Sequence, residues 1–260
     1  MRKLFQFEIS ENRIFGLDVL RFVAIFMVLL GHSLILVPQE FKKAVNPYLY
    51  DGVAIFFVLS GFLIGGILVK ILHREKPSLW GLLDFWKRRW MRTLPVYLVV
   101  LLFLLAYTLL VFPVNFPKEW FRFFFFTQNI FGHYRPGFFA EAWSLSIEEW
   151  FYLSVPLILF VLLMVFKSST KWTIFSVSIA MIVLVTYYRY HLYFSWGLSD
   201  HPNPYQIKLF KKFLSYGIDY QVIPRLDSIM YGVLGAAIAF YYPKIWNAKC
   251  QIKKRQNPFC

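Results

Sequence analysis

The stretch "GLDVLRFVAIFMVLLGHS", residues 16–33, is apolar enough to cross a bilayer, yet it carries Asp18, Arg21 and His32. A hydrocarbon core needs roughly 20 apolar residues in helical form. A charge at its centre costs at least ~2.5–3.5 kcal/mol, so such groups face protein or a water-filled cavity. At ~100° per residue, Arg21 and His32 differ by only ~20° around a helix axis and by ~16 Å along it, and Asp18 lies ~40° from His32. The three groups share one stripe of an otherwise apolar helix. The simplest account of Asp18 and Arg21 is an i,i+3 ion pair at the inner membrane edge with Arg21 snorkelling; that of His32 is an interhelical hydrogen bond.

The rest of the chain has the same character. Its 260 residues are 58% hydrophobic and 21% aromatic, and a mean hydropathy of +0.53 is too high for a soluble domain of this length. Candidate spans fall near 17–37, 51–71, 94–112, 145–166, 172–190 and 224–243. The expected fold is an all-α polytopic helical bundle with about six spans, forming a single membrane domain over 1–260. The first span has an acidic as well as a basic flank and no small-x-small cleavage site follows, so it reads as retained rather than as a removed signal.

A net charge of +14 would point to nucleic acid in a soluble protein, but membrane topology accounts for it and no nucleic-acid partner is expected. The N-terminal arm, the 70–93 segment, the 167–171 turn and the 244–260 tail hold most of the Lys and Arg and share one side if the six spans alternate. The positive-inside bias then puts both termini in the cytoplasm. The two cysteines, Cys250 and Cys260, lie in that tail, where no disulfide framework is expected.

Three connecting segments stand out. "HREKPSLWGLLDFWKRRWMRTLP" (73–95) mixes Trp, Leu and clustered Arg and reads as lying along the inner membrane surface, with Pro95 in the first turn of the span that follows. "FPKEWFRFFFFTQNIFGHYRPGFFAEA" (116–142) is aromatic enough to be re-entrant, which requires protein around its backbone. The loop of about 191–223, with His201, Pro202 and Pro204, is long enough to shape an external acceptor site.

Chemistry-bearing residues recur at the span ends. Ser60 lies in "DGVAIFFVLSGFLIGG" (51–66), where Gly61, Gly65 and Gly66 suit close helix packing. Arg89 and Arg92 are three apart and would be neighbours on a helix. Such residues most often set topology or contact lipid, but guanidinium forks also bind phosphate in a bidentate way. Glu148 and Glu149 lie about a turn and a half into the fourth span, at a depth matching His32 if that span runs inward; being adjacent they point ~100° apart, so one site would use only one of them. Arg225 and Asp227 open the sixth span, either as a local interfacial pair or as substrate contacts.

Four separated stretches together resemble membrane acyltransferase family 3, bacterial O-acyltransferases that modify surface glycans. They are Arg21 with His32, "FFVLSGFLI" (56–64), Arg89 with Arg92, and "WSLSIEEWFYL" (143–153); "RLDSIMYGVLGA" (225–236) is a weaker fifth. The resemblance covers nearly the whole chain. It implies a bacterial inner-membrane enzyme that moves an acyl group, usually acetyl, from cytoplasmic acetyl-CoA to a sugar hydroxyl of a lipid-linked or exported glycan, with no metal. On that pattern His32 is the catalytic histidine, assisted by Glu148 or Glu149. Arg21, Arg89, Arg92 and Ser60 belong to the CoA side, and Trp143, Arg225 and Asp227 to the acceptor. His32 could act as general base or become acylated itself, and the residues do not choose. Family members usually continue to about ten spans, so this chain is expected to be C-terminally truncated relative to them. A transporter with a buried proton path and an inactive truncated homologue are the competing readings.

Overall fold

The computed structural model describes residues 15–45, 51–130, 137–195 and 204–244. Nine α-helices run through them: α1 (Phe15–Ser33), α2 (Gln39–Val45), α3 (Gly52–Arg74), α4 (Leu79–Val111), α5 (Phe121–Phe124), α6 (Ala142–Phe166), α7 (Thr170–Ser195), α8 (Pro204–Leu214) and α9 (Leu226–Tyr241), with no strand among the described residues. Six helical segments are long and apolar enough to cross a membrane: α1, α3, α4, α6, α7 and the segment Ile223–Tyr241 that contains α9. The protein is a polytopic all-α membrane protein, with its spans close to the positions that hydropathy predicts. Cys250, Cys260, His201, Pro202 and the basic tail beyond Lys244 lie outside the described residues.

The chain divides into two compact units, residues 1–59 and 60–260, with the boundary inside α3. In the first unit, Asp51 caps α3: its Oδ1 accepts from the backbone N–H groups of Val53 (3.0 Å) and Ala54 (3.1 Å), satisfying two of the donors that a helix start leaves free. Gly52 allows that start to approach α1, because a Cβ there would stand 2.6 Å from the carbonyl oxygen of Ala24.

In the second unit, the small residues of α3 face α9. A Cβ on Gly61 would lie 1.9 Å from the carbonyl oxygen of Ile229, and one on Gly65 2.8 Å from Cα of Val233. Both pairs are spaced by four, so they stack along one contact line, the small-xxx-small solution for helices that have no hydrophobic drive to associate in lipid. Gly66 has nothing within 4 Å of a Cβ and takes no part. α7 packs along α9, and α6 contacts α4, α7 and α9.

Two connecting segments differ from expectation. The 73–95 segment is not a separate interfacial element, because α4 starts at Leu79 and continues unbroken through the third span, with Pro95 in its interior. Ser78 begins the helix: it is extended and its Oγ accepts from the Gly81 N–H at 3.1 Å. The fifth span extends to Ser195, and the 191–223 loop contains α8, whose last turn carries Lys211 and Lys212. The aromatic segment after α4 packs back on the helices. The Tyr97 hydroxyl donates to the Phe123 carbonyl at 2.8 Å, and Tyr97, Leu101, Leu105, Phe123 and Ala142 form one apolar cluster, while Trp120, Phe121 and Phe125 stay exposed. Its residues 131–136 lie outside the described ones.

Candidate functional site

The polar centre of the second unit is a tyrosine hydroxyl. Tyr152, fully buried on α6, has its Oη 2.7 Å from Ser60 Oγ on α3. It donates to Glu148 Oε2 at 3.0 Å and receives a hydrogen bond from Arg89 Nη2 on α4 at 2.5 Å. The Arg89 guanidinium carbon also sits 4.3 Å from the centre of the Tyr152 ring. Three helices thus converge on one phenol, and Ser60, Arg89 and Glu148, read separately from sequence, form one network. Tyr152 is one turn after Glu148, so helical spacing places both on one face; that was its signal in the sequence.

Local chemistry fixes the phenol in place. Pro156 lies inside α6 and has no N–H, so the carbonyl of Tyr152, four residues earlier, loses its normal helical donor. Trp86 on α4 replaces it, its indole Nε1 donating to that carbonyl at 2.8 Å. The proline and the tryptophan together lock α4 to α6 at the level of the network.

Glu149 points elsewhere, as adjacent helical positions must. Its Oε1 accepts from Thr93 Oγ1 at 2.9 Å, and its side chain lines a cavity with Trp90, Leu94, Phe125, Phe126, Thr127, Trp150 and Leu153. Arg89 lies near enough to both carboxylates to act on each through its charge.

Arg92 is exposed, whereas Arg89 is half-buried. The two share α4, but only Arg89 is engaged by the network. Arg88 is paired with Asp84 on the same helix. In the first unit, Arg21 Nη1 bonds Asp18 Oδ1 at 2.9 Å, the i,i+3 pair that the spacing predicts. His32 is exposed in the last turn of α1.

The three acceptor-side candidates separate. Trp143 packs edge-on against Tyr220 with ring centres 4.9 Å apart, and its carbonyl accepts from Asn129 Nδ2 at 3.0 Å. Arg225 Nε donates to the Asp219 carbonyl at 3.0 Å and Nη2 reaches Asp219 Oδ1 at 3.3 Å. Trp143 and Arg225 therefore brace the same turn, 219–220. Of the two readings open for Arg225 and Asp227, the local pair does not form: Asp227, only 2% exposed, is bonded to Arg189 of α7 at 2.5 Å. Two positions apart on a helix, they point away from one another, and the buried carboxylate takes a cation from the neighbouring span. Arg189, a cation near the C-terminal end of a largely apolar helix that otherwise carries only Lys171 of the Lys/Arg type, is itself a signal in the sequence.

Comparison with known proteins gives the site its context. The family model of an acyltransferase domain matches residues 14–248. O-acetyltransferase OatA of Staphylococcus aureus (strain NCTC 8325 / PS 47) is 31% identical over 186 residues, covering 65% of this chain and 29% of that protein. A second protein of Staphylococcus aureus (strain COL), named provisionally as an O-acetyltransferase, is 28% identical over 246 residues, covering 88% of this chain and 35% of that protein. The chain thus spans well under half the length of either relative. No solved structure matches it.

Proposed function

Because the chain belongs to the acyltransferase family whose domain it matches over residues 14–248, we propose that it transfers an acyl group, acetyl, from cytoplasmic acetyl-CoA to a sugar hydroxyl of a lipid-linked or exported cell-surface glycan. The observation that carries this reading is the partly buried network of Ser60, Arg89 and Glu148 around the buried Tyr152. A guanidinium held in a largely apolar helix packing by a phenol and a nearby carboxylate is costly to maintain without a task, and fixing its orientation prepares it for an anionic ligand.

In this reading Arg89 and Arg92 take the phosphates of CoA. Ser60, Tyr152 and Glu148 act through Arg89 as positioning residues. His32 is the catalytic group. As a general base it removes the proton of the acceptor hydroxyl; the oxygen forms the new ester bond at the thioester carbonyl, the C–S bond breaks, and the proton passes to the leaving thiolate. As a nucleophile it takes the acetyl group first and hands it to the hydroxyl in a second step. Trp143 and Arg225, bracing one turn, are the better-placed candidates for the acceptor, and Asp227 serves α7–α9 packing. The setting is the bacterial inner membrane with both termini in the cytoplasm.

The test supplies radiolabelled acetyl-CoA to the purified protein, with and without glycan acceptor, and compares wild type with His32→Ala. Label transfer or hydrolysis is expected from the wild type and should fall by at least about a hundredfold in the variant, the scale of a lost acid–base group. Turnover unchanged by His32→Ala removes that residue from the mechanism, and no acetyl-CoA use by the wild type removes the donor.

A further inference from the structure

The cavity beside Glu149 is not used by the transfer described above. It has a volume of about 570 Å³ and lies between Trp90 and Leu94 of α4, the segment Phe125–Thr127, and Glu149, Trp150 and Leu153 of α6. All of these belong to the second unit.

Two features mark it as built rather than left over. Glu149 is 5% exposed, and while its Oε1 is bonded to Thr93, its Oε2 is buried and meets no donor in good hydrogen-bond geometry, although the Trp90 indole lies close enough to act on the carboxylate. A buried carboxylate oxygen lacking a donor is a costly arrangement that native structures keep for a reason. Phe126 has φ 54°, a left-handed backbone that is a true outlier for a bulky side chain. It is held there from both sides, by Trp150 Nε1 donating to its carbonyl at 2.9 Å and by the Tyr97 ring 4.7 Å from its own. Backbone strain of this kind gathers at ligand sites.

We read the missing partner as a hydrogen-bond donor, because Arg89 and Glu148 both act on Glu149 with opposite charges and the rest of the lining carries no charged side chain. Apart from Glu149, the side-chain oxygen of Thr127 is the only one in the lining, and its hydroxyl is directed at the Arg122 carbonyl at 3.4 Å. A sugar in this cavity would leave most of its hydroxyls unpaired, and a fatty acid would set a carboxylate against Glu149. We propose that the cavity binds an uncharged amphiphile with a single hydroxyl, of the long-chain alcohol class. The hydroxyl donates to Glu149 Oε2 and the hydrocarbon lies against Trp90, Leu94, Phe125 and Leu153. This holds whether or not the chain transfers acyl groups.

The experiment is photo-crosslinking of the full chain in lipid nanodiscs with a diazirine-bearing hexadecanol, its methyl ether, and the corresponding sixteen-carbon acid and alkylammonium, mapped by mass spectrometry. The alcohol should label peptides containing 125–127 and 150–153, and the ether, which lacks the donor, should label them about tenfold less. Leu153→Trp should remove the labelling by filling the cavity. Glu149→Leu should keep it but bring the alcohol-to-ether ratio near one. Equal labelling of the wild type by alcohol and ether, label spread over all lipid-facing helices, or stronger labelling by the alkylammonium or the acid overturns the proposal. The wild-type ratio decides the matter even if both variants fail to fold.

Discussion

The indole of Trp86 hydrogen-bonds the backbone carbonyl of Tyr152 at 2.8 Å, across 66 residues of chain. That carbonyl needs an outside donor because Pro156, four residues on, cannot supply one. Trp86→Phe should therefore destabilise the protein by ~1–3 kcal/mol, the cost of an unsatisfied buried acceptor. In a Pro156→Ala background, where the helix provides its own N–H, the same change should cost at least ~0.5 kcal/mol less. Thermal unfolding of the four proteins in one detergent measures the cycle, and an additive result would show that the indole does not replace the helical bond.

Tyr152→Phe keeps the ring over Arg89 but removes the hydroxyl shared by Ser60, Arg89 and Glu148. Stability should fall by ~1–3 kcal/mol. If the network positions Arg89 for the donor, KM for acetyl-CoA should rise several-fold more than kcat falls. A change in stability with unaltered KM would make the network structural only.

Arg89 and Arg92 should behave differently although they share a helix. Arg92 is exposed and free of the network, so Arg92→Ala should weaken acetyl-CoA binding with little effect on melting. Arg89→Ala should do both, because Ser60, Tyr152 and Glu148 lose their cation. Lys42→Ala on α2 is the control; affinities equal across all three variants would end the phosphate assignment. Isothermal titration together with thermal unfolding separates the two effects.

Gly61→Ala should be among the most damaging single-methyl changes, since its Cβ would enter the space of the Ile229 carbonyl. Backbone cannot move aside as a flexible side chain does, and a loss of about 3 kcal/mol or more is expected. Gly66→Ala, five residues along the same helix with open space at its Cβ, should be neutral or stabilising by up to ~1 kcal/mol. Folded yield and melting temperature of the two variants test the contrast.

Much of the local structure was legible in the residues. Hydropathy located the six spans, and helical spacing foretold the Asp18–Arg21 pair and the divergence of Glu148 from Glu149. The motif residues Ser60, Arg89 and Glu148 were found one by one, but not the phenol that joins them, because a tyrosine in an aromatic-rich span carries no distinguishing local signal unless its turn-mate is noticed. The local Arg225–Asp227 pair, one of the two readings of those residues, is absent for a related reason. Proximity in sequence made the partner look local, while burial made the carboxylate take Arg189 from the adjacent span.

The division follows from range. The sequence by itself determined what depends on a single helix: which segments are long and apolar enough to span, where they start, and which side chains share a face, since these follow from a fixed rise and turn per residue. Only the tertiary structure decided which spans meet and which residues they bring together. That choice rests on long-range fits with no periodic trace, such as Gly61 against the Ile229 backbone, Trp86 completing a carbonyl orphaned by Pro156, and Tyr152 drawing groups from three helices to one oxygen.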